Sequence, residues 1–171
     1  MNFKFHEEIQ SSNKRQQNHS IEMMNLKKTS FDKRRIITFT LFVIYIFCVF
    51  YITLLNREPT YRRRVLTPLW EYHKLLHEDS HYWFQQITCN IIMLVPFGVF
   101  TGYRFKKMTI IQGAVLGGAF SSFIEITQYF TRRGLLEFDD VLNNTFGAVI
   151  GFVFTKLIIA YREHKQACKY Y

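Results

Sequence analysis

The sequence is short of proline, cysteine and acid: three Pro, three Cys and 13 Asp plus Glu stand among 171 residues that carry 22 Lys plus Arg. The cysteines, Cys48, Cys89 and Cys168, are too few and too scattered for a disulfide framework, and no Cys pair has the spacing of a metal-ligand set. Cys168, close to a membrane end, reads as an ordinary thiol, with acylation as the alternative. No glycine-rich phosphate loop and no nucleic-acid-binding motif accompanies the net charge of +9, so a nucleic-acid partner is not expected. The absence that decides the class is local. Charge is scarce in four long stretches, and a mean hydropathy near zero averages these with basic connectors and describes neither.

A helix needs about 20 apolar residues to cross the hydrocarbon of a bilayer. Four blocks reach that length, at about 36–55, 83–103, 108–130 and 141–161. Ile36 to Leu55 is free of charge, the second block contains Asn90 and Pro96, the third carries Glu125, and the fourth carries Asn143, Asn144 and a late Lys156. A globular chain of this size has no interior in which to hide four such helices. The expected fold is therefore all-α: a polytopic membrane protein with a transmembrane domain over 36–161. Pro96, followed by Gly98, reads as a helix kink.

Residues 1–35 are polar and basic with no small-residue cleavage site behind the next apolar block, and read as a retained, largely disordered tail; 162–171 form a second short tail. Lys and Arg are divided unequally between alternate connectors. With the amino terminus inside, fourteen fall on the cytoplasmic side and seven outside, with Lys156 left in the fourth span. This asymmetry places both ends in the cytoplasm, and the basic residues nearest the first span would rest on anionic lipid headgroups.

In that orientation the unusual polar residues share one depth. Glu125 and Gln128 lie in the last turns of the third span, Asp140, Asn143 and Asn144 in the first turns of the fourth, and Asn90 two turns into the second, all near the outer surface. Ionisable groups within a membrane are costly and point to function. Gly113, Gly117, Ser121, Glu125, Gln128 and Arg132 fall on one helical stripe, as do Asp140, Asn144, Gly147 and Gly151. Each stripe carries a small-xxx-small run, Gly113-x-x-x-Gly117 or Gly147-x-x-x-Gly151, which predicts that the third and fourth spans pack face to face. The expected site is a polar pocket. The alternative reading pairs Glu125 with Arg132 or Arg133, makes Asp140 a helix cap and leaves Asn144 as interhelical glue. His73, His77 and His81 would align on a helix in the first external loop; an interfacial helix anchored by Trp70, Tyr72, Tyr82 and Trp83 is preferred to a zinc site, and no metal or cofactor is expected.

The run Asn90-Ile-Ile-Met-Leu-Val-Pro96-Phe97-Gly98, then Ser121-x-x-x-Glu125-x-x-Gln128, then Arg133 followed by Asp140-Val-Leu-Asn-Asn144-Thr145-x-Gly147-Ala-x-x-Gly151, resembles the VanZ-like family. Arg62 and Pro68 resemble a stretch that precedes the family's second span, with Val65 and Leu69 where the family usually has Asn and Phe, and Glu137 where it often has Asp. The resemblance implies a bacterial plasma-membrane protein associated with low-level resistance to the glycopeptide teicoplanin, and it implies no established reaction. Three functions follow as expectations. The first is binding of an anionic, polyprenyl-linked or similar cell-envelope lipid, with Arg62, Arg132 and Arg133 on phosphate, Asn90, Gln128 and Asn144 on polar headgroup atoms, and Glu125 and Asp140 holding the arginines. The second is an intramembrane enzyme acting on a lipid-linked phosphate, with Glu125 or Asp140 as base. The third is a small transporter or channel subunit.

Overall fold

A computed structural model describes residues 22–24, 29, 33–57, 59, 61, 63–78 and 80–168. Most of the basic amino-terminal tail, together with Arg62, lies outside the described residues. The chain divides into two compact units, Met1–Val43 and Ile44–Tyr171. In the first, residues 33–43 are helical and mostly exposed, and the Thr38 hydroxyl donates to the Arg34 carbonyl at 2.8 Å. The second holds everything that follows.

Among the described residues, four helices are long and apolar enough to cross a membrane: α1 (Lys33–Leu55), α3 (Ser80–Arg104), α4 (Ile110–Thr131) and α5 (Phe138–Ala167). A short helix, α2 (Trp70–His77), precedes α3. Two-residue strands β1 (Arg64–Val65) and β2 (Leu136–Glu137) pair in parallel, Arg64 with Leu136 and Val65 with Glu137, and so clip the connector before α2 to the one before α5. Only 28–33% of the apolar windows of α3, α4 and α5 is buried inside the protein. Ile111, Val115, Phe123, Phe130, Phe154 and Leu157 all point outward, a surface that suits lipid and not water. The fold is a polytopic all-α membrane protein.

The tightest contact is between α3 and α5. A Cβ on Gly147 would overlap the Ile91 carbonyl oxygen, one on Gly151 the Val95 carbonyl, and one on Gly98 the Ala148 carbonyl. Backbone meets backbone there because both helices present small residues at i, i+4: Gly98 and Gly102 on α3, Gly147 and Gly151 on α5. The pairing expected between the third and fourth spans takes another form. Gly113 faces the Phe152 ring and Gly117 the Ala148 methyl group, so α4 sits against side chains of α5 while α3 takes the close approach. Leu94, Ile124, Ala148 and Phe152 fill the centre, each no more than 1% exposed, and Phe97 stacks on Phe120 with ring centroids 4.8 Å apart.

Local chemistry fixes the helix ends. Thr109 starts α4 with a capping box: its hydroxyl accepts from Gln112 N at 3.3 Å, and the Gln112 side chain accepts from Thr109 N at 3.0 Å. α4 stops at Arg132, which adopts the left-handed conformation at φ 59°. Pro96 lies inside α3 without ending it. In α1 the last turn widens to a π-turn over Tyr51–Leu55, which sends Arg57 back toward the bundle end where α2, β2 and the first turn of α5 meet.

Candidate functional site: a buried carboxylate and amide cluster

The first turn of α5 organises this end. Asp139 is fully buried and turns away from its own helix: its two carboxylate oxygens accept from Leu69 N at 2.7 Å and Glu71 N at 2.9 Å. It therefore caps α2 from a distance of about 70 residues in sequence, a service that Leu69, apolar and left-handed at φ 60°, cannot supply itself. With α2 so held, Glu71 enters the interior at 0% exposure. Asn143, one turn along α5 from Asp139, donates to Glu71 Oε2 at 2.9 Å and accepts from the Tyr72 hydroxyl at 2.7 Å.

Asp140 faces α3, where the Asn90 side-chain amide donates to its carboxylate. Glu125 on α4 accepts from Glu137 N at 3.1 Å and so ties α4 to β2. Gln128, a turn further on, donates to the Thr53 carbonyl in the π-turn of α1 at 3.0 Å. Glu71, Glu125, Glu137, Asp139 and Asp140 are all at most 8% exposed. The positive end of the α5 dipole partly balances Asp139 and Asp140, and Arg57 lies within electrostatic reach of Glu125, Glu137 and Asp140.

Outside the spans, burial dominates the ionisation behaviour. Glu71 is held well above the ordinary carboxyl range by burial first and by the neighbouring charge of Asp140 next. Glu137 is pushed up to about 7 by burial and Asp140, against the opposing influence of Arg57 and the Trp70 indole. Among the described residues, Gln128 Oε1, Asn144 Oδ1 and Ser121 Oγ are buried without a hydrogen-bond partner, while the Trp70 indole lies against the Glu137 carboxyl and Glu71 Oε1, with no N–H donor of its own, lies against Asp140.

The structure brings Asn90, Glu125, Gln128, Asp140 and Asn144 to one end of the bundle, buried. Arg132 and Arg133 do not join that set of hydrogen bonds. Arg133 directs its guanidinium at the carbonyls of Leu54, Leu55 and Arg57, at 3.4, 3.3 and 3.1 Å, closing the end of α1, while Arg132 is exposed. His73 and His77 stack, with ring centroids 4.2 Å apart, on the exposed face of α2, and Trp70 and Trp83 meet edge to face at 5.1 Å. Sequence reasoning missed Glu71, Asp139 and Arg57 as site residues, and it grouped Asn143 with the polar residues at that depth without assigning it to the site. One signal was available for Glu71: an acid between two aromatics, Trp70 and Tyr72.

An apolar four-helix bundle that closes over carboxylates and amides at one end defines a multi-pass membrane protein with a polar site at the edge of its spans. The chain belongs to the VanZ/LLP1 family, whose sequence model matches residues 42–159. That stretch contains every member of the cluster. No curated protein and no solved structure matches the chain significantly.

Proposed function

We propose that this protein binds the phosphate-bearing headgroup of an anionic cell-envelope lipid at the outer face of a bacterial plasma membrane, with both termini in the cytoplasm, and so contributes to low-level teicoplanin resistance. The observation that carries the reading is the set of buried acceptors without donors, Gln128 Oε1 and Asn144 Oδ1 foremost, at the bundle end that the Lys and Arg asymmetry assigns to the outside. Buried polar atoms at membrane depth need a polar partner, and a sugar or peptide headgroup supplies donors. Phosphate would be met by Arg57 and the exposed Arg132, whose guanidinium forks suit two-point contact. Arg133 serves as scaffold, positioning Arg57 through the carbonyls it holds.

Native mass spectrometry of gently solubilised wild type beside a Gln128→Leu, Asn144→Leu variant tests this. A discrete lipid adduct on the wild type, lost from the variant together with the teicoplanin tolerance of cells expressing it, is expected. No adduct on either protein would sink the reading.

A second reading, an intramembrane enzyme on a lipid-linked phosphate, is favoured by the convergence of carboxylates at the same end. Glu125→Gln would then abolish turnover of such a lipid while leaving its adduct in place.

A further inference from the structure

The cluster holds more negative charge than its structural duties require. Asp139 caps α2 and Glu125 accepts from β2, but Glu71, Glu137 and Asp140 point at one another: each offers a carboxylate oxygen, and these oxygens all lie within 4.8 Å of one another. The three residues come from α2, β2 and α5, so their meeting is a product of the tertiary fold. Like charges this close in a dry interior repel strongly unless a cation or protons lie between them. Arg57, the cation whose influence reaches Glu137 and Asp140, is shared with Glu125.

Hydrogen-bond accounting points to a ligand on separate grounds. Glu71 is fully buried, and Asn143 holds its Oε2, yet among the described residues no N–H donor meets Oε1; what lies beside Glu71 is the Asp140 carboxylate, close enough that a cation or a shared proton must stand between the two. A carboxylate oxygen buried without a donor carries its full desolvation cost, and this side chain is anchored with its carboxylate among the other two.

We propose that Glu71, Glu137 and Asp140 form a divalent-cation site. The donor set is oxygen only, with no thiolate or imidazole, which selects hard ions: Mg²⁺, Ca²⁺ or Mn²⁺. The outer shell is in place, since Asn90 donates to Asp140 and Asn143 to Glu71, leaving their remaining lone pairs to face the ion. Three carboxylates do not fill the coordination sphere of such an ion, so positions remain for water or for a phosphate oxygen. This gives an acidic pocket a means of attracting an anionic headgroup; that last step rests on the lipid-binding reading above, whereas the ion site stands without it.

The test is titration of Mn²⁺ into purified, delipidated, chelator-stripped full-length protein in detergent, followed by loss of the free-ion electron paramagnetic resonance signal, with Ca²⁺ as competitor. Saturable uptake near one ion per chain is expected, weakened about tenfold or more by Glu71→Gln and by Asp140→Asn, since loss of an outer-shell partner alone costs that much. Glu78→Gln, on the exposed end of α2, leaves it unchanged. If Asp140→Asn fails to fold, Glu137→Gln takes its place. Folded wild type, by circular dichroism, that takes up neither Mn²⁺ nor Ca²⁺ overturns the site and assigns the cluster to shared protons; so does uptake that all the carboxamide variants retain. A lipid adduct without ion uptake overturns the ion site alone, and ion uptake without an adduct overturns the lipid reading alone.

Discussion

The two ends of the bundle face the same physical problem and solve it with opposite charge. Where α3 ends and α4 begins, around residues 104–109, the Lys156 ammonium reaches over from α5 and donates to the carbonyls of Phe105 and Lys106 at 2.9 and 2.6 Å, a cation at a helix carboxyl terminus. Arg104, Lys106 and Lys107 stay exposed around it. At the other end an acid, Asp139, serves a helix amino terminus, but here the polar groups are buried. One capping carboxylate would suffice there. Glu71, Glu137 and Asp140 add three more buried carboxylates at that end, two of them held by the amides of Asn143 and Asn90, which makes it the costlier of the two solutions.

The contact between α3 and α5 holds both ends in register, and the largest effect is expected there. Gly147→Leu would drive a side chain into the Ile91 carbonyl, with backbone on both sides and nothing flexible to give way. Folded, monodisperse protein should not be recovered by size-exclusion chromatography. Gly118→Ala is the control: its Cβ would meet only the Thr145 side chain, 3.2 Å away at the nearest, and the variant should elute like wild type.

Next in size is the buried cap. Asp139→Ala strips the acceptor from two backbone N–H groups and releases α2, which costs about 2–4 kcal/mol in denaturant titrations. Because Glu71 is held in place through that cap, the same variant should also lose Mn²⁺ uptake, although Asp139 is not among the three proposed ligands.

The acidic end alone should make stability depend on pH near neutrality. The Glu137 carboxyl lies at about 7 in the folded chain against an ordinary 4.5, and Glu71 is raised in the same direction. The folded protein thus holds these protons more tightly than the unfolded chain. Their stabilising contribution is complete below the ordinary value and is lost as pH rises through the folded one. In chelator, the melting temperature should be several degrees higher at about pH 5 than at about pH 8, and Glu137→Gln should flatten the profile. Mn²⁺ added at the higher pH should restore the wild type and leave the variant unmoved. A smaller effect belongs to the opposite end: Lys156→Met, which keeps the stem and removes the ammonium, should cost about 0.5–1 kcal/mol with no change in that pH profile.

What the sequence disclosed follows from which interactions are local. Apolar helices are set by runs of apolar residues, so all four were legible, although α5 runs six residues beyond the apolar block ending at 161. Asn90, Glu125, Gln128, Asp140 and Asn144 stood out because polar groups inside a span are anomalous on their own. Glu71 and Asp139 were hidden for the opposite reason: each lies at a helix start where acids are ordinary, and their meaning arises from a contact between positions 68 residues apart. The choice of α3 as the close partner of α5 was equally non-local, since Gly98 and Gly102 flank the same kind of turn as Gly113 and Gly117, and only the packed bundle decides between them. Arg133 was read as a ligand contact because it is a charge near the site, whereas its guanidinium is occupied by the carbonyls at the end of α1.

Arg132 and Arg133, adjacent in sequence, carry opposite assignments, and the smallest effects are expected from them. Arg132 adopts φ 59° at the end of α4, a conformation that costs a residue with a Cβ about 1 kcal/mol and glycine almost nothing. Arg132→Gly relieves that strain and gives back part of the gain by loosening the unfolded chain, so stability should rise by about 0.5 kcal/mol or hold level. If Arg132 meets a lipid phosphate, the same substitution should diminish the adduct in native mass spectra, separating function from fold in one residue. Arg133→Gly should do the reverse to stability, lowering it by about 1 kcal/mol as the carbonyls of Leu54, Leu55 and Arg57 lose their shared donor. Equal losses of stability from both substitutions would show that the pair acts as a single structural clasp, and the headgroup contact would then fall to Arg57.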